Sequence, residues 1–278
     1  MSIGILHPGA MGISIGAALV AAGHEVCWVS ENRSDATRQR AESGGLIDVA
    51  TIGALNKRCT TVFSVCPPGE AETVAATVAA AGFQGRYIDA NAVAPATARG
   101  IAETMTAGGA DYVDGGIIGP PIRHKGLTVL YLAGAPSPCD EVTSLFVDTA
   151  LETHYVGAGL GSASAVKMAF AAWTKGTSAL LLAIRGLAEA EGVVEGVEHA
   201  WSVLTPDLID RLPMTAQNTA PKAWRFVGEM EEIATSFEGA GLPGGFHHAA
   251  AEIYAAFADL RDQTDVTVDD VVRRLARD

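Results

Sequence analysis

Short apolar runs alternate with stretches of helical spacing through the first half of the chain. Ser2 to Leu6 has the continuous apolar character of a strand buried on both faces, and Met11 to Ala22 reads as a helix closed by Gly23. Glu25 to Val29 is a second strand, Asp35 to Glu42 a helix closed by Gly44 and Gly45, and Leu46 to Val49 a short third strand. Thr61 to Cys66 is a strand stopped by Pro67 and Pro68, which have no N–H to give to a ladder. Glu70 to Ala81 reads as helix, Arg86 to Asp89 as strand, and Pro95 to Met105 as a helix with proline in its first turn. Tyr112 to Asp114, Thr128 to Leu132 and Thr153 to Val156 are further strand candidates. Strand and helix in turn imply right-handed crossovers, hence an α/β fold with a doubly wound, mostly parallel sheet.

After Gly157 the strand signal stops. Ser162 to Glu191 has the pattern of one long helix, and the chain from Glu195 onward is helical, punctuated by Pro206, Pro213, Pro221 and Pro243. Gly157, Gly159 and Gly161 loosen the backbone between the halves. The expected division is therefore an α/β domain over residues 1–158 and an all-α domain over 159–278.

Composition narrows what such a chain binds. Of 278 residues 49% are hydrophobic and 18% charged, enough apolar material for substantial cores. Nineteen basic residues against thirty-two acidic ones leave a net charge of −13, which repels nucleic acid and anionic membrane. An anionic ligand then needs a local positive site. Cys27, Cys59, Cys66 and Cys139 show neither CxxC nor zinc-ligand spacing, and fit buried thiols in a reducing cytoplasm. The apolar stretch from Ala163 to Leu187 is interrupted by Lys167, Lys175 and Arg185, which suits a buried helix rather than a membrane span. No metal motif is present.

The local positive site is offered straight after the first strand by His7-Pro8-Gly9-Ala10-Met11-Gly12. Against GxGxxG, the second and third glycines are Gly9 and Gly12, and His7 stands in the first position. The second glycine admits the backbone close to a pyrophosphate, the third lets helix and strand pack, and the helix N-terminus supplies N–H groups and a positive dipole end. Placed at strand one of a βαβ unit, the loop predicts a Rossmann-type dinucleotide-binding domain. His7 either flanks the pyrophosphate or fills the turn. The second strand ends in Ser30-Glu31-Asn32-Arg33-Ser34. Arg33, with Ser30 and Ser34, supplies donors for a 2′-phosphate and favours NADP(H) over NAD(H). Glu31 pulls toward NAD, since a carboxylate there accepts from a free ribose diol, and Ser34 is equally suited to cap a helix.

Three segments carry a resemblance. Gly9-Ala10-Met11-Gly12 matches a GxMG loop, Cys66-Pro67-Pro68 a proline turn after the fourth strand, and Asp89-Ala90-Asn91-Ala92 a turn after the fifth. In these the chain resembles the β-hydroxyacid dehydrogenases, the family of 3-hydroxyisobutyrate and 6-phosphogluconate dehydrogenases. The resemblance implies that Cys66, Pro67 and Asn91 lie near the nicotinamide and its ribose. The family's substrate motif DAPVSGG aligns with Asp114 to Pro120, which implies substrate contacts at Gly115, Gly116, Ile117 and Ile118, with Ile118 in place of the motif's serine. Its catalytic motif GxxxKxxNN keeps only the lysine, Lys167; Ala163, Phe170 and Ala171 replace the glycine and both asparagines. The segments Gly115 to Pro121, Ala171 to Gly176 and Gly241 to Gly245 are more similar to a less studied branch with a C-terminal domain of unknown function.

Helical spacing puts Ala163, Ser164, Lys167, Ala171 and Thr174 on one face, with Lys167 its single ionisable group and Ala163 and Ala171 leaving room for a small ligand. Apolar neighbours lower a lysine pKa by desolvation, which suits it to give a proton to a developing alkoxide or take one from an alcohol. The alternative is a lysine whose stem covers apolar surface while its amine reaches water. Lys175 takes over if the register differs. Glu229 falls where the family often has an aspartate, and either orients the lysine or caps a helix. The reading is an NADP-dependent oxidoreductase acting on a small hydroxy acid, an alcohol or the matching carbonyl, with Lys167 as general acid/base. The rivals are an imine reductase, an architecture that generally lacks lysine at this position, and a non-catalytic NADP-sensing module. The all-α domain, which the resemblance makes the substrate and dimerisation domain, implies a homodimer.

Overall fold

The computed structural model describes residues 2–276. The chain divides between Met168 and Ala169 into two compact units. In the first, β1 (Ser2–Leu6), α1 (Ala10–Ala21), β2 (Glu25–Trp28), α2 (Asp35–Ser43), β3 (Ile47–Asp48), α3 (Ile52–Arg58), β4 (Thr61–Ser64), α4 (Ala71–Ala80), β5 (Arg86–Asp89) and α5 (Pro95–Ala107) follow in turn. Then come β6 (Asp111–Ile118), β7 (Val129–Ala133), α6 (Pro136–Ser144), β8 (Glu152–Gly157) and α7 (Ser162–Ala190), which begins in the first unit and continues into the second.

Among the described residues eight strands form one sheet in the order β3-β2-β1-β4-β5-β6-β7-β8. The pairs from β3 through β6 are parallel, β7 runs antiparallel to β6, and β8 is parallel to β7. Alternation along each strand feeds two cores. Ile3, Ile5, Val26, Trp28, Phe63, Ile88 and Val113 pack with α1 and α6, while Leu6, Cys27, Val29, Val62, Tyr87 and Tyr112 pack with α3, α4 and α5. Each fully buried aliphatic or aromatic side chain contributes about 1.5–3 kcal/mol by leaving water, so the β-like runs are apolar on both faces because both faces are covered. This is the doubly wound, Rossmann-type sheet that the alternation predicts, followed by a helical region.

Several elements differ from the sequence expectation. β6 is longer than Tyr112 to Asp114 and carries the Gly115-Gly116 pair into the sheet, buried. α3 has no apolar stripe to reveal it; it starts because the Thr51 hydroxyl accepts from Ala54 N at 3.2 Å. α6 is a mostly polar helix opened by Pro136 at a first-turn position. The first compact unit runs to Met168 and takes in the first turn of α7, whose Ala163 N and Ser164 hydroxyl donate to the Asp114 carboxylate of β6.

The second unit contains the remainder of α7, then α8 (Val194–Leu204), α9 (Asp207–Thr219), α10 (Ala223–Gly239), α11 (Gly245–Ala255) and α12 (Val268–Leu275). α9 runs through Pro213 rather than ending at it. Leu182, Ala216, Met230, Ile233, Tyr254, Phe257 and Val271 are buried in this unit. Phe226 and Tyr254 meet edge to face at 5.3 Å, and the Tyr254 hydroxyl donates to the Lys175 carbonyl at 2.6 Å.

Candidate active site

The loop between β1 and α1 is built by close approach. His7 takes a φ of 66°, Gly9 N donates to the His7 carbonyl at 2.7 Å, and a Cβ on Gly12 would lie 2.5 Å from that carbonyl oxygen. Gly12 is therefore what lets α1 start against the loop. Gly9 caps α1 without any side-chain hydrogen bond, so the first-turn N–H groups are left to a ligand. Pro8 is buried, Gly9 and Met11 half-buried and Ala10 exposed.

Beyond this loop a cavity of about 500 Å³ opens at the carboxyl ends of β1, β2 and β4. His7, Glu31, Asn32 and Arg33 line one part of it, Cys66, Pro67 and Glu70 another, and Val29, Ile52, Thr73, Val74 and Thr77 an apolar part. Ser30 is buried and does not line the cavity. Ser34 accepts from Thr37 N at 3.3 Å and caps α2, so it serves the helix and is not part of the lining. Burial first, and then Arg33, lower the His7 pKa to about 4, so the imidazole is neutral; its Nδ1 is buried without a partner among the described residues. An uncapped helix N-terminus, an arginine at the end of β2 and an orphaned ring nitrogen together fit the phosphates and adenosine of a dinucleotide. Sequence reasoning missed Asn32, Ile52, Glu70, Thr73, Val74 and Thr77. For Thr73 and Thr77 the i, i+4 spacing on α4, a helix the sequence already predicts, was the available signal.

At the ends of β4 and β5, Asn91 is a hub. Its Oδ1 accepts from Cys66 N at 2.6 Å, and its Nδ2 donates to Ser64 Oγ at 3.1 Å and to Asp89 Oδ1 at 2.5 Å. Burial pushes the Asp89 pKa up to about 7 against the hydrogen bonds of Asn91, with the Asp114 charge adding to the rise. Burial and then Asp89 push Cys66 up to about 12, which keeps it a thiol.

Lys167 is positioned by β6. The Asp114 carboxylate accepts from Ala163 N at 2.9 Å, Ser164 N at 3.3 Å and Ser164 Oγ at 2.6 Å, closing the N-terminus of α7. A Cβ on Gly116 would lie 2.5 Å from the Ala163 carbonyl oxygen and 3.1 Å from Lys167 Cβ. Asp89 pairs with Asp114 in the parallel register, and Gly116, with Lys167 against it, lies two residues farther along β6 toward its carboxyl end. Gly115 packs on the Asp89 carbonyl, Ile117 is buried and Ile118 half-buried.

The other expected substrate residues lie in the second unit. Ala171 is buried, and the Thr174 hydroxyl donates to the Phe170 carbonyl at 3.2 Å. Glu229 sits within α10 and pairs with Lys175 at 2.7 Å, the Lys175 amine also lying 5.1 Å from the Phe226 ring centre. The glutamate expected to orient the lysine or cap a helix is thus bound to the other lysine of α7. Among the described residues no group of three or more His, Cys, Asp and Glu side chains could hold a metal, and no helix is long and apolar enough to cross a membrane.

A Rossmann-type sheet with this loop defines the class, a dinucleotide-binding fold. More particularly, residues 2–157 match the NAD binding domain of 6-phosphogluconate dehydrogenase, and the chain belongs to that family. Residues 188–257 match a domain of unknown function. Among solved structures, a conserved hypothetical protein from Sinorhizobium meliloti 1021 is 25% identical, with a TM-score of 0.71 over 99% of this chain and 96% of that one. The 3-hydroxyisobutyrate dehydrogenase of Mycobacterium tuberculosis, solved with L-serine, is 20% identical, with a TM-score of 0.71 over 99% of each chain. An imine reductase from Myxococcus stipitatus, in complex with NADP+, is 18% identical, with a TM-score of 0.60 over 99% of this chain and 100% of that one. No curated protein matches the chain.

Proposed function

We propose that the protein is an NADP(H)-dependent oxidoreductase that interconverts a small hydroxy acid or alcohol and its carbonyl counterpart, with Lys167 as general acid/base. The observation that carries this reading is the packing of Lys167 against Gly116 toward the carboxyl end of β6, the edge of the sheet at which the nucleotide loop and its cavity open. When bound, the nicotinamide supplies or accepts the hydride. Lys167 gives a proton to the oxygen of a carbonyl being reduced, or takes it from an alcohol being oxidised. Asn91 holds the Cys66 backbone and so fixes the wall that the resemblance places beside the nicotinamide ribose. Arg33 and Asn32 in the cavity lining support the preference for NADP(H), with Glu31 on the same wall as its opponent.

The test is a substrate panel. 3-Hydroxy acids and alcohols with NADP+, and their carbonyl forms with NADPH, should turn over, and Lys167→Ala should cut turnover while NADPH affinity, read by fluorescence, stays nearly constant. Turnover of cyclic imines alone favours the imine reductase rival, and NADPH binding with no turnover of any substrate favours the sensing module.

The homodimer reading rests on α7. Phe170, Trp173, Leu180 and Leu187 recur on one face of that helix and are exposed in the single chain, Trp173 by 68%. Light scattering should give twice the chain mass at micromolar concentration; a monomer would count against it. The four cysteines are unpaired, in keeping with a reducing cytoplasm.

A further inference from the structure

His7 stands where a loop of this kind ordinarily has its first glycine, and it holds a φ of 66°, a region glycine occupies freely and other side chains seldom do. Its imidazole lines a cavity together with Glu31, Asn32 and Arg33 from the end of β2 and with Cys66 and Glu70 from the end of β4. The ring nitrogen Nδ1 is buried and has no hydrogen-bond partner among the described residues, a costly state for a polar atom. Backbone conformation and side-chain solvation are thus both unfavourable at one residue, and both would be relieved by glycine. The lowered pKa, about 4 from burial and then Arg33, leaves a neutral ring with one N–H and one lone pair. Such a ring is matched to a sugar hydroxyl, which donates and accepts.

We propose that His7 reads the adenosine ribose of the bound dinucleotide, the edge of its imidazole that lines the cavity meeting a ribose hydroxyl. The proposal rests on the cofactor reading above and adds a side-chain contact to a loop that otherwise binds through its backbone. It also predicts a signature that a purely structural histidine would not give, because His7→Gly removes strain and an orphaned atom while deleting the contact.

The experiment is calorimetric titration of wild type and His7→Gly with ADP-ribose and ADP-ribose 2′-phosphate, beside their thermal midpoints. The variant should melt at or above the wild-type temperature and bind both probes about five- to tenfold more weakly, the loss of one neutral hydrogen bond. Unchanged affinity in the folded variant overturns the proposal while leaving the cofactor reading intact. A wild-type protein that binds neither probe nor NADPH overturns both. Should the variant fail to fold, the ¹⁵N shifts of the wild-type His7 ring decide: a change on saturation with ADP-ribose supports the contact, and none overturns it.

Discussion

The Asp114 carboxylate receives the Ser164 hydroxyl at 2.6 Å, joining a buried strand residue to the first turn of the helix that carries Lys167. The same carboxylate takes two backbone N–H groups of that turn, so one side chain closes a helix terminus and sets its height on the sheet. Burial raises the Asp114 pKa against these hydrogen bonds, the mark of a group held in place by the fold at some electrostatic cost.

Removing that carboxylate should be expensive. Asp114→Ala leaves two backbone donors and a hydroxyl of α7 without their acceptor, for an expected loss of about 2–4 kcal/mol. Urea unfolding should show it as a lower midpoint at unchanged slope. Asp114→Asn keeps one acceptor oxygen and should lose less; equal losses in the two variants would contradict the capping role.

Gly116 is the other half of this placement. In Gly116→Ala the new Cβ meets the Ala163 carbonyl oxygen at 2.5 Å and Lys167 Cβ at 3.1 Å, so α7 must move off β6. The expected cost is about 1–3 kcal/mol, the usual range for overpacking, accompanied by lost turnover because Lys167 moves with the helix. Gly228, within α10, has open space where a methyl group would stand, with nothing within 4 Å, and Gly228→Ala should raise stability by about 0.5–1 kcal/mol. Thermal melts of the two variants should move in opposite directions.

Asp89 gives stability a pH dependence of definite sign. Its folded pKa of about 7 lies above the ordinary value of 3.8, so across that interval the folded chain keeps a proton that the unfolded chain has released. The stabilisation is complete below roughly pH 4 and is lost as pH rises through about 7. Asp89→Asn should flatten the urea midpoint between those limits, since a neutral amide still accepts from Asn91. A midpoint as steep in the variant as in the wild type would place the titration elsewhere.

What the sequence by itself determined is local. Alternating apolar runs and helical spacings identify β1, α1, β2, β4, α4, β5 and α5, because burial on both faces of a strand or on one stripe of a helix leaves a periodic trace in the residues concerned. The glycine loop at Gly9 and Gly12 and the lysine on α7 are legible for the same reason, their chemistry being carried by residues close in sequence. The helices α3 and α6 lack that trace, since a hydroxyl cap and a proline start them. Only the tertiary structure decided that Gly115 and Gly116 are strand residues making room for Asp89 and α7, that Ser34 serves a helix, and that Glu229 joins Lys175. Each of these depends on which segment arrives opposite, and the free energy of a close approach or a buried ion pair belongs to two distant stretches of chain together, with no imprint on the spacing within either.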